Sequence, residues 1–266
     1  MSQVWLIGRP VSHSLSPAMH NAAFAALGLP HRYEAREVAD NDLAPTLQRM
    51  RSEDVLGANV TIPHKEAVLR QVDQVSDEAR RIGGLNTIVH RSGRLVGENT
   101  DGYGFRRALE AAGAIPRRVF VLGAGGAARA CVVELLRAGA EVRVANRTSE
   151  RAERLARSIE VERRRARAAP WPTQDDLDRV DAVVNATPLG LHNEDPLRGR
   201  RLPRLVVDLV PMADETPLVR RARGDPECTV VEGLSMLLHQ GARSFELWTG
   251  VEPPLPAMRA ALPRPA

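Results

Sequence analysis

A glycine-rich loop between a buried strand and a helix is the feature that most constrains the fold of this chain. An apolar run at 118–122 is typical of a strand. Gly123-Ala-Gly-Gly-Ala-Ala128 follows it directly and begins a helical segment that extends to about Ala138. At such a turn, glycines let backbone N–H groups approach a pyrophosphate at the positive end of the helix. The context therefore favours a dinucleotide site over a purely structural turn. The residues predicted to contact the dinucleotide are Gly123, Ala124, Gly125, Gly126 and Ala127.

The second half of the chain repeats this alternation of strands and helices. Further apolar strand candidates lie at 141–145, 182–185, 205–208 and 229–231, with helical segments between them. Such alternation is typical of βαβ units on a parallel sheet. We therefore expect a doubly wound, Rossmann-type α/β domain over residues 102–234.

The first hundred residues predict a second α/β domain whose sheet is mixed. Residues 85–90 and 95–97 flank Ser92-Gly93, a hairpin turn signal that implies an antiparallel pair. Ser16 is expected to cap a helix with Pro17 at its first position, and another helix is expected to begin at Pro63. The predicted domains are 1–101, with the C-terminal segment 235–266, whose helix is expected from Ser235 to Leu247, packing back on it, and 102–234. A Pro-rich, frayed tail is expected from Pro253 onward.

Composition excludes several classes of protein. With 266 residues, 43% hydrophobic and 26% charged, the chain is ordinary for a globular protein and unlike a disordered, collagen-like or coiled-coil one. No run approaches the roughly 20 apolar residues of a membrane span, and the first residues do not resemble a signal peptide. The two cysteines make no disulfide framework, and the seven histidines show no metal-ligand spacing. We therefore expect a reduced, cytoplasmic protein with no metal.

The basic residues of this chain are almost all arginines. Of the 37 lysine and arginine residues, Lys65 is the only lysine. The net charge of +4 is weak support for nucleic-acid binding, and the Arg-rich stretch 162–167 contains no aromatic residue, as is typical of a solvated surface. A lysine can lose its proton inside a protein, whereas an arginine cannot. A lone lysine in such a chain therefore raises the question of an acid–base role, which its neighbours must decide.

The residues after the second predicted strand of the 102–234 domain indicate which dinucleotide binds. A site for NAD places an Asp or Glu about 20 residues after the glycine loop, and here stands Asn146-Arg147-Thr148. A carboxylate at this position would repel a 2′-phosphate, whereas a guanidinium and a hydroxyl would hold it. An arginine beyond a strand is otherwise an ordinary surface residue. Because the glycine loop precedes it, we predict NADP as the cofactor.

Polar side chains cluster at predicted strand ends in residues 1–101. Ser14 and Ser16 precede a helix, where two hydroxyls can receive a carboxylate, although plain capping by Ser16 explains them as well. Asn59 and Thr61 leave the same face of a strand, and Lys65 follows on the first turn of the next predicted helix. Two more polar clusters lie at 86–87 and 99–101. Strand ends of this kind line ligand crevices, but turn formation accounts for them equally well.

Seven motifs in a fixed order favour ligand binding over turn formation at these polar clusters. They are Gly8-x-Pro10 with His13-Ser-Leu-Ser-Pro-Ala-Met-His-Asn21, Asn59-Val-Thr-Ile-Pro-His-Lys-Glu66, Gly84-Leu-Asn-Thr87, Gly97-Glu-Asn-Thr-Asp-Gly102, Asn146-Arg-Thr148, Asn185-Ala-Thr-Pro-Leu-Gly190 and Gly233-Leu-x-Met-Leu-x-x-Gln-Gly241. Together they resemble the shikimate dehydrogenase family, from the first strand to about Trp248. The resemblance implies reduction of 3-dehydroshikimate to shikimate with NADPH, on the route to chorismate and the aromatic amino acids.

The same resemblance implies roles for individual residues. Lys65 and Asp101 match the catalytic pair of the family, and Asp101 also contacts the substrate. The other implied substrate residues are Ser14 and Ser16 for the carboxylate, Thr61, Asn86 and Gln240 for the ring hydroxyls, and Asn59. Besides the glycine loop, the implied NADP residues are Asp77, Asn146, Arg147, Thr148, Arg151, Thr187, Leu209 and Gly233.

One position departs from the family, and two alternatives stay open. Members usually carry a tyrosine at the position of Pro211, where its hydroxyl contributes to the carboxylate site. One alternative is a quinate/shikimate dehydrogenase that uses NAD, against which Asn146-Arg147-Thr148 argues. The other is a non-catalytic sensor of a ring acid, against which the intact pair Lys65 and Asp101 argues. We expect a small-molecule substrate, no nucleic-acid or membrane partner, and a monomer or a homodimer.

Overall fold

The computed structural model describes residues 1–52 and 54–263, in which strands and helices alternate. The strands are β1 (Gln3–Gly8), β2 (Arg32–Glu37), β3 (Val55–Val60), β4 (Gln74–Val75), β5 (Thr87–Arg91), β6 (Arg94–Glu98), β7 (Arg118–Leu122), β8 (Glu141–Ala145), β9 (Arg167–Ala168), β10 (Ala182–Asn185), β11 (Leu205–Asp208) and β12 (Thr229–Glu232). The helices are α1 (Ser16–Ala26), α2 (Leu43–Ser52), α3 (Asp77–Ile82), α4 (Asp101–Ala111), α5 (Gly126–Arg137), α6 (Ser149–Ser158), α7 (Gln174–Leu177), α8 (Pro217–Arg223), α9 (Gly233–Thr249) and α10 (Leu255–Ala260).

The described chain divides into two compact units. The first comprises Met1–Tyr103 and Leu238–Pro263, and the second comprises Gly104–Leu237. Helix α9 therefore starts in the second unit and continues in the first. The domain boundaries expected from the sequence, at 101/102 and 234/235, stay a prediction, and residues 264–266 of the expected returning segment lie outside the described residues.

The first unit contains a mixed six-stranded sheet in the order β2-β1-β3-β5-β6-β4. Strands β2, β1 and β3 are parallel, whereas β5 is antiparallel to both β3 and β6. The register pairs Asn59 with Thr87 and Thr87 with Glu98. Consequently the ends of β1, β3 and β6 and the start of β5 lie at one edge of the sheet. The polar clusters at 59–61, 86–87 and 99–101 lie at or next to these strand ends.

Apolar side chains from the strands and from α2 form the core on one side of this sheet. Trp5, Ile7 and Ile88 pack there against Leu43 and Met50, all of them fully buried or nearly so. Helix α9 is anchored to the same sheet by its Trp248, whose indole Nε1 donates to the Ile88 carbonyl at 2.9 Å. A Cβ on Gly57 would lie 2.7 Å from that Nε1, so a glycine permits this close approach.

The second unit contains a six-stranded sheet in the order β12-β11-β10-β7-β8-β9, and all neighbouring pairs of strands in it are parallel. Counted from β7, this is the order 3-2-1-4-5-6 of a dinucleotide-binding fold. The inner strands are continuous apolar runs because helices cover both faces of such a sheet, as Phe120, Val183 and Val206 illustrate at 0% exposure. The order reverses between β7 and β10, where this fold places its ligand. The expected fold class, with one mixed and one parallel sheet, is confirmed.

Three local expectations are corrected. No helix begins at Pro63; residues 62–66 form turns that lead into a short 3₁₀ helix at Ala67–Arg70. The residue before α1 is Leu15, and Ser16 is its first helical position, so Ser16 is not the cap. The segment expected to be a frayed tail contains α10, which packs against α1 and buries Met258. The hairpin at Ser92-Gly93 is confirmed, with Arg91 paired to Arg94.

Membrane spans and metal clusters are both absent from the part of the chain that the structure describes. In residues 1–52 and 54–263, no helix combines the length and apolar character that crossing a bilayer requires. The same residues contain no group of three or more His, Cys, Asp or Glu side chains placed to hold a metal ion.

Candidate active site

Lys65 and Asp101 form an ion pair at the edge of the first sheet where the strand ends meet. The Lys65 ammonium Nζ donates to Asp101 Oδ2, and the two side chains are 16% and 6% exposed. Both predicted catalytic residues therefore lie together in a largely water-excluded place. An ion pair with so little exposure interacts more strongly than a surface pair.

The backbone around each partner explains why the pair forms. Lys65 follows β3, and its carbonyl accepts a hydrogen bond from the Leu85 N–H at 2.9 Å, which holds it beside the start of β5. Asp101 is the first residue of α4, where the positive end of the helix favours a carboxylate. At the start of this helix, the Asn99 side-chain oxygen accepts from the Asp101 N–H at 3.0 Å.

Asn86 links Asp101 to Gln240, which lies on α9. The Asn86 amide Nδ2 donates to Asp101 Oδ1 at 2.9 Å and to Gln240 Oε1 at 3.1 Å. All three residues are buried. The structure thus brings four predicted site residues into one hydrogen-bonded group: Lys65, Asp101, Asn86 and Gln240.

Asn59 lies next to this group, and its side-chain amide is hydrogen-bonded to other residues of the protein. Its Nδ2 donates to the Asn86 carbonyl at 3.0 Å, to Thr87 Oγ1 at 3.1 Å and to Ser244 Oγ at 3.1 Å. Its Oδ1 accepts from the Tyr33 hydroxyl at 2.8 Å. These contacts use its amide fully and indicate that Asn59 holds its neighbours in place.

The two predicted carboxylate serines lie between β1 and α1. Ser14 Oγ accepts from the Ser16 N–H at 3.2 Å, so Ser14 satisfies a donor near the start of the helix. Ser16 is buried and forms a side-chain hydrogen bond with Tyr33; burial raises the pKa of Tyr33 well above its usual value, and this bond opposes that effect. Thr61, which follows β3, packs its methyl group over Gly8, where a Cβ would come within 2.3 Å of it.

Sequence reasoning missed three buried residues around this site. Tyr33 and Ser244 hold Asn59, and the ring of His20 stacks on Tyr33 with centroids 4.5 Å apart. Ser244 follows Gln240 by one helical turn on α9, so a helical-face argument from Gln240 could have found it. Tyr33 carries no comparable signal, because its partners are brought to it only by the folded sheet. His20 lies in the motif at 13–21, but nothing in that motif indicates that it packs on Tyr33.

In the second unit, the glycine loop has the shape that a close backbone approach requires. Gly123 has a φ of +109°, which disfavours any other residue, and a Cβ there would lie 2.7 Å from the Ala186 carbonyl oxygen. Nothing lies within 4 Å of the position that a Cβ on Gly125 would occupy. The start of α5 at Gly126 thus leaves open space beside its first turn. These features fit a bound pyrophosphate.

The strand ends beside the loop carry the predicted residues Thr187, Leu209 and Gly233. The Thr187 hydroxyl donates to Asn185 Oδ1 at 2.6 Å, and Asn185 Nδ2 donates to Asp208 Oδ1 at 2.9 Å. A Cβ on Gly233 would lie 2.6 Å from the Leu209 carbonyl oxygen, so these two residues are in close contact. Burial raises the pKa of Asp208, although hydrogen bonds from Thr216, Val210 and Asn185 oppose this.

The predicted 2′-phosphate residues lie together after β8. Asn146 Nδ2 donates to the Thr148 carbonyl at 2.9 Å and so closes the turn that holds Arg147. The Arg151 N–H donates to the same carbonyl at 3.1 Å, in the first turn of α6. Arg147, Thr148 and Arg151 are exposed, so their side chains are accessible to a cofactor.

Two further positions are placed by the structure. Asp77 is exposed in the first turn of α3 and belongs to the first unit, whereas the other predicted NADP residues belong to the second. Pro211 is exposed in the segment after β11, three residues beyond Asp208.

Comparison with known proteins identifies the family. A model of the shikimate dehydrogenase substrate binding domain matches residues 6–88, one of shikimate / quinate 5-dehydrogenase matches 108–209, and one of the shikimate 5′-dehydrogenase C-terminal domain matches 233–262. The NADP-dependent shikimate dehydrogenase of Symbiobacterium thermophilum is 44% identical in a 270-residue alignment. The alignment covers 96% of this chain and 92% of that protein. The chain belongs to the shikimate dehydrogenase family. Its activity is that of an NADP-dependent shikimate dehydrogenase, an oxidoreductase of aromatic biosynthesis, and its cofactor is NADP(H).

Solved structures of the shikimate dehydrogenase family agree with the fold along nearly the whole chain. The enzyme of Thermus thermophilus, in complex with NADP(H) and shikimate, is 42% identical, with a TM-score of 0.87 over 98% of both chains. A quinate dehydrogenase from Corynebacterium glutamicum, in complex with NAD, is 32% identical, with a TM-score of 0.90 over 98% of both chains. Because that enzyme shares the fold equally well, the choice of ring acid depends on individual side chains.

Proposed function

We propose that Lys65 and Asp101 carry out the proton transfer in the reversible reduction of 3-dehydroshikimate to shikimate by this chain. The observation that supports this most strongly is the nearly buried ion pair between the only lysine of the sequence and a carboxylate at a helix start. A ketone that is being reduced develops negative charge on its oxygen. The Lys65 ammonium stabilises that charge and then supplies a proton to the oxygen. In the reverse direction, neutral Lys65 removes the proton from the hydroxyl.

Asp101 has two tasks in this proposal. Through Oδ2 it orients the Lys65 ammonium, so that the donor is in place before the substrate arrives. Through Oδ1, which already accepts from Asn86, it provides a place for a substrate hydroxyl beside that amide. The Asp101 carboxylate thereby holds the Lys65 ammonium and the substrate ring next to each other.

The remaining polar residues of the first unit bind the ring acid. Ser14 and Ser16 hold the carboxylate, and Thr61, Asn86 and Gln240 contact the ring hydroxyls. Asn59 takes part as a residue that positions Asn86, because its amide donates to the Asn86 carbonyl. Of these side chains, Asn86 and Gln240 belong to the hydrogen-bonded group around Asp101.

The second unit holds NADP. The open space at Gly125 and the start of α5 receive the pyrophosphate, and Arg147, Thr148 and Arg151 hold the 2′-phosphate. Thr187, Leu209 and Gly233 line the cofactor beside the glycine loop, and Asp77 remains a proposed contact from the first unit. Bound NADPH supplies the hydride that reduces the ketone.

A matrix of steady-state assays tests this proposal. The purified protein is supplied with shikimate or quinate, and with NADP or NAD, while absorbance at 340 nm reports the reduced cofactor. We expect turnover with shikimate and NADP, at least about tenfold lower kcat/KM with NAD, and little turnover of quinate. Comparable kcat/KM with quinate and NAD would favour a quinate-type enzyme, and binding without turnover would favour a sensor.

A further inference from the structure

The hydroxyl of Thr100 lies at the centre of the hydrogen bonds that join the substrate residues. Thr100 is 1% exposed and occupies the link between β6 and α4, directly before Asp101. Its Oγ1 lies 2.9 Å from Asn86 Nδ2, 3.0 Å from Ser244 Oγ, 3.3 Å from Thr87 Oγ1 and 3.4 Å from Gln240 Oε1. These partners come from β5, α9 and the residue before β5. One hydroxyl therefore connects three parts of the first unit.

The backbone of Thr100 also decides which way the Asn86 amide faces. The Thr100 N–H donates to Asn86 Oδ1 at 2.7 Å, and an N–H group can only donate. Asn86 Oδ1 is thus fixed toward Thr100, and Nδ2 must face Asp101 and Gln240. A reversed amide would place an NH₂ group against the Thr100 N–H, with both groups buried and unpaired.

We propose that Thr100 is a positioning residue of the active site, whose hydroxyl holds Asn86 and Gln240 in the arrangement that receives the ring hydroxyls. It acts through these two side chains and through neighbouring Asp101, and it contacts no reacting atom. The inference rests on the proposed roles of Asn86 and Gln240. A buried polar network of this kind is stable only when every member is paired, so loss of its central hydroxyl disturbs several partners together.

Thr100→Val tests the hydroxyl, because valine has nearly the same shape and cannot form the hydrogen bonds. We expect kcat/KM for shikimate to fall about tenfold, the factor that one net hydrogen bond contributes. The KM for NADP should stay within about twofold, since the hydrogen-bond partners of the Thr100 hydroxyl all belong to the first unit. Thr100→Ser keeps the hydroxyl and should restore kcat/KM to within about threefold of the native value.

Thr249→Val is the matched control. Thr249 is a half-buried residue at the end of α9, and its hydroxyl donates to the Phe245 carbonyl at 2.8 Å, outside the cluster around Thr100. The Thr249→Val variant should be less stable than the native protein but should keep the native kcat/KM for shikimate. Thermal unfolding of each variant separates a loss of fold from a loss of positioning. Native kcat/KM in a folded Thr100→Val variant overturns the inference, as does an equal loss of kcat/KM in Thr249→Val.

Ser244→Ala keeps the inference testable if Thr100→Val does not fold. It removes one partner of the Thr100 hydroxyl without adding bulk, and we expect about a threefold fall in kcat/KM for shikimate. If Thr100→Val is unfolded and Ser244→Ala keeps the native kcat/KM, then Thr100 contributes only to fold stability. That result would overturn the inference. An inactive native protein in the same assays would instead contradict the proposed function, so the two failures are distinguishable.

Discussion

Lys65 and Asp101 are 36 positions apart in sequence and form a hydrogen-bonded ion pair at one edge of a mixed sheet. The antiparallel strand β5 between β3 and β6 makes this possible, because it brings the ends of β3 and β6 to the same edge. Asn86, at the start of β5, then donates to the second oxygen of the carboxylate. The sheet topology therefore places the proton donor, its orienting carboxylate and a substrate-binding amide together.

Arg147→Asp should change cofactor preference. The variant loses the proposed partner of the 2′-phosphate and adds a repelling charge, so the KM for NADP should rise about tenfold or more. NAD lacks that phosphate, and its KM should change far less. Steady-state assays with each cofactor at saturating shikimate measure both values. Arg220→Asp makes the same charge change at an exposed position of α8 and serves as the control. Equal losses with both cofactors in Arg147→Asp would point to a misfolded loop.

Pro211→Tyr should strengthen substrate binding. Proline offers no side-chain donor, so the family resemblance implies one charge-assisted hydrogen bond fewer to the carboxylate than in members with tyrosine, a difference of about 1.5–3 kcal/mol. We expect a lower KM for shikimate and an unchanged KM for NADP when shikimate is titrated at saturating cofactor. Pro211→Phe supplies the ring without the hydroxyl and should show no gain. A KM for shikimate that is unchanged or higher in folded Pro211→Tyr rules this role out.

His20 should make the first unit sensitive to acid. It is fully buried, and neither ring nitrogen has a hydrogen-bond partner among the described residues. Burial lowers its pKa from 6.5 to about 3. Between these two values the unfolded chain binds a proton that the folded chain does not, so the free energy of unfolding falls as pH decreases through this window.

His20→Leu removes this dependence and provides the test. Each pH unit below about 6.5 contributes up to about 1.4 kcal/mol, so the native protein should lose at most about 3 kcal/mol more than the variant between pH 7.5 and pH 4.5. Urea unfolding at both pH values measures the difference. His13→Leu, at an exposed position of the same segment, is the control. Identical pH dependence of the native protein and His20→Leu would contradict the burial effect.

Sequence was sufficient for features that depend on local pattern. The parallel sheet of the second unit was predicted from apolar runs separated by helices, although its strand order and its edge strand β9 were not. The loop at Gly123 was recognisable because glycine spacing reflects a backbone requirement. The grouping of Lys65 with Asp101 was expected from family motifs. The structure adds the reason for it, which is the shared sheet edge.

Features that depend on distant contacts could not be predicted in this way. Ser244 lies 185 positions from Asn59, and no local pattern pairs them. Pro63 looks like a helix start, but the segment turns instead, and the Lys65 carbonyl accepts from Leu85. Helix α10 was missed because its three neighbouring prolines suggest a tail, whereas packing against α1 stabilises it. In the last two cases tertiary contact overrides the local signal.

Lys65→Arg tests the central claim most directly, that this lysine transfers the proton. Arginine keeps a positive charge beside Asp101 but cannot release its proton. We predict that shikimate binding, measured by calorimetry, stays within about threefold of native, while kcat for shikimate oxidation falls at least about a hundredfold. Near-native kcat in a folded Lys65→Arg variant would contradict the account.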